Sequence, residues 1–207
     1  AIWNDMHSHL PKIKYIDMYG GEPMLMKKQW KLLEQAIELG YSKDISLHYN
    51  TNGTIWDDEK LKILNQFKKV QLDFSLDGIK NRYEFMRHPA KWDHVIENFK
   101  RLKYISKHSD KYHICIAHTV STLNVWYIPE FLEYFEGENI YLNLVHGPWH
   151  FCITNIPEDV KPVVEEHLGK EDPRVVEIIN FMNGKESIPS EWELFAPNVI
   201  QSDQYRK

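Results

Sequence analysis

At 207 residues, with 43% hydrophobic and 27% charged residues, the chain is long enough to bury a sizeable core and too apolar to be disordered. A net charge of -5 with no long basic run argues against nucleic acid and against an anionic membrane surface, and no apolar stretch approaches the roughly 18 residues that span a bilayer. Two cysteines, Cys115 and Cys152, do not make a disulfide scaffold, and no segment reads as a signal peptide, so a reducing, cytoplasmic setting is expected.

In chain order, residues 1–10 read as the tail of a preceding helix. Apolar runs predict strands over 12–19, 45–50, 69–76, 112–120 and 139–145. Between them, helical spacing predicts helices over 26–39, 57–67, 91–107 and 126–136. Met26, Trp30, Leu33 and Ile37 form one stripe, closed by Gly40 as a left-handed cap. Trp92, Val95, Ile96, Phe99, Leu102 and Ile105 form another. Both stripes read as core. After Val145 the pattern changes to short helices over 157–168, 173–183 and 191–206, punctuated by Pro157, Pro173, Pro189 and Pro197.

Strand alternating with helix implies a parallel α/β architecture. The expected fold is a partial (β/α) barrel of parallel strands over residues 1–150, its first β/α unit missing. A helical C-terminal segment, 151–207, would pack on it. Ala1 in place of Met and the uncapped polar stretch 201–207 read as cut ends, although an engineered start would also give Ala1. Along the strands, polar residues recur at alternate positions: Asp17 with Tyr19, His48 with Asn50, Asp73 with Ser75. Alternate residues share one face, and the inward layers of a filled barrel are apolar. The polar face is therefore expected to line a lumen that holds water or ligand, the alternative being a face turned to surface helices or solvent.

Four motifs sit where such a fold puts chemistry, at the carboxyl ends of strands. Gly20-Gly21-Glu22-Pro23 follows the first strand. Its glycines allow a sharp turn and close approach of a ligand, Glu22 offers an acceptor to an ammonium group, and Pro23 suits the first turn of a helix. Asn50-Thr51-Asn52-Gly53 follows the second strand and by itself reads as a tight turn. Ser75-Leu76-Asp77-Gly78 follows the third, with a short hydroxyl at the rim and a turn at Asp77-Gly78. Arg87, twelve residues after Ser75, is able to clamp a carboxylate through two parallel hydrogen bonds or to pair with Glu84 at helical spacing.

In that order, the four motifs resemble the radical S-adenosylmethionine (SAM) superfamily, and most of all its peptide-modifying branch with SPASM or twitch extensions. The resemblance covers about residues 1–150. It implies that Gly20, Gly21, Glu22 and Pro23 hold the amino group of the methionine moiety of SAM. Ser75, with Asp77 beside it, would contact the polar part of SAM, and Arg87 its carboxylate. Asn50 and Asn52 would support the loop or touch ligand. It also implies reductive cleavage of SAM to a 5′-deoxyadenosyl radical, which abstracts hydrogen from a peptide or small-molecule substrate, with an electron-donor protein as partner.

One element of the family pattern is missing. A [4Fe–4S] cluster there is held by a CxxxCxxC loop, and Cys115 and Cys152 have no partners at such spacing. The chain as given is expected to be inactive in radical chemistry. The alternatives are a fragment of an active enzyme and a SAM- or peptide-binding module that has lost the cluster. A dimer through an exposed sheet edge is a further expectation. Aromatics such as Trp126, Tyr127, Trp149 and Phe151 would serve a binding module as a surface. No metal ligands are assigned, because Pro148 interrupts His146-x-x-x-His150. Hydrolase and phosphoryl-transfer motifs are absent.

Overall fold

In the computed structural model, which describes residue 6 and residues 8–206, five strands lie in one open sheet in sequence order. They are β1 (Tyr15–Met18), β2 (Ser46–Thr51), β3 (Lys69–Ser75), β4 (Tyr112–Val120) and β5 (Ile140–Leu144). Tyr15 pairs with Ser46, Leu47 with Val70, and Val70 with Tyr112, all in parallel register. Sequential order excludes the strand reversal of a doubly wound sheet and is the arrangement of a partial β/α barrel. The expected helix over 1–10 falls largely outside the described residues.

The helices are α1 (Lys27–Glu38), α2 (Asp58–Leu64), α3 (Lys80–Met86), α4 (Trp92–Lys107), α5 (Ile128–Tyr134), α6 (Lys161–Leu168), α7 (Pro173–Asn183), α8 (Pro189–Glu193) and α9 (Phe195–Gln204). None of the described helices is long and apolar enough to cross a membrane. β1 is shorter than expected because Leu10–Lys12 forms a 3-10 turn with Pro11 in its first positions. The expected helix 191–206 is two helices, α8 and α9. Helix α3 was not foreseen, since Tyr83 is its only buried residue and no apolar stripe marks it.

By packing, the chain divides into two units: residues 1–75 with 90–117, and residues 76–89 with 118–207. The boundary expected after residue 150 stays an expectation.

In the first unit the strands are two-faced. Ile16, Met18, Leu47, Tyr49, Val70, Leu72 and Phe74 are buried, while Asp17, His48 and Gln71 on the other face keep some exposure. Helix α4 buries Trp92, Val95, Ile96, Phe99 and Leu102 as expected, and Phe99 meets Phe74 edge-on at 5.3 Å. Helix α1 departs from its expected stripe. Its buried residues are Gln29, Leu32, Leu33 and Ala36, whereas Met26 is 39% exposed. Gln29 is drawn inward because its amide donates to the carbonyl of Pro23. Gly40, at φ +80°, does close α1, and the Tyr41 N–H reaches back to the carbonyl of Ala36 at 2.9 Å.

The second unit has its own core, in which Val120, Val125 and Ile128 pack with Ile153, Val164, Leu168, Val175, Ile178 and Met182. The C-terminal helices α6 and α7 are thereby tied to the chain around β4 and α5.

Candidate functional site

Glu22 is held by three donors. Its Oε1 accepts from the Met24 N–H at 3.0 Å and from the Thr51 hydroxyl at 2.8 Å, and its Oε2 accepts from the Asn52 N–H at 2.7 Å. Two of these partners belong to the turn after β2, so the Gly-Gly-Glu-Pro and Asn-Thr-Asn-Gly motifs form one structure. A carboxylate offers about four acceptor sites. With Glu22 partly exposed, one lone pair of Oε2 remains to take an ammonium proton. The glycines before it sit in open space: a Cβ on either would meet nothing within 4 Å. Gly20 has φ +119°, a conformation left to glycine, and Pro23 opens the short 3-10 turn that Glu22 caps.

The turn after β2 is internally braced. Asn52 Oδ1 accepts from the Thr54 N–H and hydroxyl, at 2.9 and 2.6 Å, so the Asn52 side chain supports the loop while its backbone serves Glu22. Thr51 Oγ1 also accepts from the Gly53 N–H at 3.1 Å, and Asn98 of α4 donates to the Gly53 carbonyl at 2.8 Å. Thr51 and Asn98 were missed in the sequence. Thr51 stands inside the turn motif with no role of its own marked by the sequence, and Asn98 lies 45 positions from the carbonyl it serves. Asn50 stands one rung below the turn on the polar strand face, and Ser75, the last residue of β3, is half-buried there.

Asp77 and Arg87 belong to the second unit. Arg87, the C-cap of α3, donates through Nε to Asp77 Oδ2 at 2.6 Å, and its Nη2 lies 2.5 Å from the same oxygen. Asp77 Oδ1 accepts from the Thr119 N–H at 2.9 Å. The alternative of an Arg87–Glu84 pair gives way to this longer-range one, because a carboxylate only 7% exposed needs a cation if it is to stay buried. The fork leaves Arg87 with N–H groups that Asp77 does not use, and its side chain is 30% exposed.

Behind that pair stands His118. Its Nδ1 lies 2.8 Å from the Leu76 carbonyl, which only accepts, so Nδ1 carries the proton and Nε2 faces Asn124 Nδ2 at 3.2 Å. Burial holds the His118 pKa down at about 4, against smaller upward pulls from Asp77 and the Leu76 carbonyl. Asn124 also donates to the carbonyls of Asp77 and Thr119, both at 2.9 Å. These residues enclose, with Gly78, Arg82 and Phe131, a cavity of about 10 Å3, room for one water. His118 and Asn124 were also missed, although Ser121-Thr122-Leu123-Asn124 carries a readable turn signal, in which Asn124 Oδ1 accepts from the Ser121 N–H at 2.7 Å.

The aromatics weighed as a binding surface have partners of their own. Trp126 stacks on His167 at 3.7 Å, and the Arg82 guanidinium lies 3.8 Å over Tyr127. Both cysteines are buried, and Cys152 Sγ lies 3.1 Å from the Thr154 hydroxyl. Among the described residues no group of His, Cys, Asp and Glu is set to hold a metal ion. A [4Fe–4S] cluster on a CxxxCxxC loop takes three thiolates, and this chain's two cysteines, 37 positions apart, do not fit one.

No curated protein matches the chain. The model of the Radical SAM superfamily matches residues 5–135, a span that takes in β1 to β4 and every motif described above. That match covers more than half of the sequence and agrees with the α/β sheet order: the chain belongs to the Radical SAM superfamily.

Proposed function

We propose that this chain is the SAM-binding portion of a radical SAM enzyme of the peptide-modifying, SPASM or twitch type. The observation that carries the reading is Glu22, a carboxylate fixed by three protein donors at a strand end with acceptor capacity to spare. Such a group is organised before its ligand arrives, so little ordering entropy opposes binding. It suits the ammonium of an amino acid zwitterion. Gly20 and Gly21 leave the backbone open to a close ligand. Arg87 supplies the complementary cation for the carboxylate end, and Asp77 fixes the plane of its guanidinium. Ser75 offers its hydroxyl to the ribose or carboxylate, and Asn50 and Asn52 keep the loop in place.

In the superfamily, bound SAM is cleaved reductively to a radical that takes hydrogen from a substrate. We assign this protein a peptide or small-molecule substrate, a protein electron donor and a cytoplasmic setting. The two cysteines of this chain do not supply the cluster that such chemistry requires, and as it stands the polypeptide binds SAM without turning it over.

Titration calorimetry with SAM tests the reading. Binding is expected, with Glu22→Gln and Arg87→Lys each weakening it about tenfold, the loss of one charge-assisted contact. Arg87→Lys keeps the charge beside Asp77, so the fold survives the test. Absence of binding, or affinity indifferent to both substitutions, overturns the assignment.

A further inference from the structure

The polar face of the first unit carries a second constellation that the SAM motifs do not use. His48 stands between two carboxylates from the neighbouring strands. Its Nδ1 lies 2.9 Å from Asp17 Oδ1 and its Nε2 lies 2.9 Å from Asp73 Oδ2. Gln71 donates to the other oxygen of Asp73 at 3.0 Å. For both contacts to be hydrogen bonds, both ring nitrogens must carry protons unless a carboxylate does.

The two ends of the row differ. The Asp73 side chain is 4% exposed and that of Asp17 43%. Asp17 lies on β1, at one end of the sheet order, and among the described residues its bond is to His48 through Oδ1 alone. Its Oδ2 is the acceptor that an incoming group can reach.

Two further observations point to a ligand. Tyr15 on β1 and Tyr19 just past its end lie two positions either side of Asp17 and are 57% and 72% exposed. Tyr15 stacks on His48 with ring centroids 6.5 Å apart. Its phenol pKa is raised by burial first and then by the charges of Asp17 and Asp73, so the field of the row reaches it. Aromatic faces beside an acid are the surroundings a cationic nitrogen prefers. Second, a cavity of about 560 Å3 opens at the amino ends of the strands, lined by Tyr15, Ser46, Gln71, Lys69, Lys111 and His113 among others. Tyr15 and Gln71 belong both to this cavity and to the surroundings of the row. Lys69 and Lys111 also line this cavity, with Asp110 beside them, and Lys111 Nζ donates to the Asn65 carbonyl.

We propose that Asp17, His48, Asp73 and Tyr15 form a binding site for the side chain of an arginine- or lysine-like ligand. The guanidinium or ammonium is received by Asp17 Oδ2 and Tyr15, with the ligand's carboxylate or carbonyl end toward Lys69 and Lys111. His48 and Asp73 act as positioning residues: they hold Asp17 in place. The row Asp17–His48–Asp73 crosses the polar face within β1, β2 and β3, while Tyr15 and Gln71 extend from it to the cavity at the amino ends; it shares no residue with the loop that holds Glu22 and stands independently of the SAM assignment.

The test is a pair of NMR titrations of this 207-residue chain with N-acetyl-arginine and with N-acetyl-citrulline, its uncharged isostere. N-acetyl-arginine is expected to bind at least about tenfold more tightly, as one charge-assisted contact implies, with shifts centred on Tyr15, Asp17 and His48. Asp17→Asn, which keeps the shape of the side chain, is expected to abolish that preference, and His48→Gln to reduce it. SAM affinity is expected to be unchanged in both variants, so loss of SAM binding in the unmodified chain would count against the SAM reading alone. Equal affinity for the two probes, no saturable shift with either, or a preference that survives Asp17→Asn overturns the proposal.

Discussion

Glu22 accepts hydrogen bonds from Met24, Thr51 and Asn52. An amide in its place would turn an NH2 group toward one of these donors, and two donors facing each other lose a bond without replacing it. Glu22→Gln is therefore expected to lower stability by about 1–3 kcal/mol besides weakening SAM binding, read as a lower urea midpoint at unchanged slope. Gly53 and Gly20 separate two other effects. Both have positive φ, but a Cβ on Gly53 would lie 2.7 Å from the ring of Phe74, whereas one on Gly20 meets nothing within 4 Å. Gly20→Ala thus costs about 1–2 kcal/mol of backbone strain. Gly53→Ala adds overpacking of about 1–3 kcal/mol, and its midpoint in urea should fall further than that of Gly20→Ala. Equal midpoints would mean that Phe74 moves aside freely.

Among the elements, helix α3 shows how function is placed by a segment with almost no core. Only Tyr83 is buried in it, and its C-cap is Arg87. The Arg87–Asp77 pair therefore anchors the helix end as well as orienting the guanidinium. Removing one partner of a mostly buried pair leaves the other uncompensated, at a cost of about 3 kcal/mol or more. Asp77→Ala is expected to lose more stability than Arg87→Lys and to raise hydrogen exchange across 80–86 first; uniform exchange would show that the pair does not anchor α3. Strand β2 plays the opposite part. Its buried face, Leu47, Tyr49 and Thr51, fixes its register against the core, so His48 and Asn50 are necessarily presented on the open face.

For the molecule as a whole, His118 links the fold to pH. Its folded pKa, about 4, lies below the ordinary histidine value of 6.5. Between those values the unfolded chain binds a proton that the folded chain does not, so stability falls as pH drops through this window and the His118 contribution levels off below it. A shift of this size corresponds to roughly 3 kcal/mol. Thermal or urea unfolding between pH 7 and pH 4 should show this slope, and His118→Gln should flatten it. An unchanged slope in that variant would assign the acid sensitivity to other groups. The pair of packing units also means that unfolding followed by a single probe need not report both.

What the sequence by itself determined is the alternation of strand and helix, the core stripe of α4, the cap at Gly40 and the four motifs at strand ends. Each is local, set by period, turn chemistry or spacing, and so readable without knowing where the chain goes next. Tertiary structure decided what those residues touch. Thr51 and Asn98 brace the Glu22 loop, Asp77 rather than Glu84 takes Arg87, and His48 lies between Asp17 and Asp73. The stripe of α1 was misplaced for the same reason: Gln29 is buried because a carbonyl six residues away needs its amide. These contacts join positions that only the parallel strand register and the packing around it bring within hydrogen-bonding distance, and buried polar groups must find such partners wherever the fold supplies them.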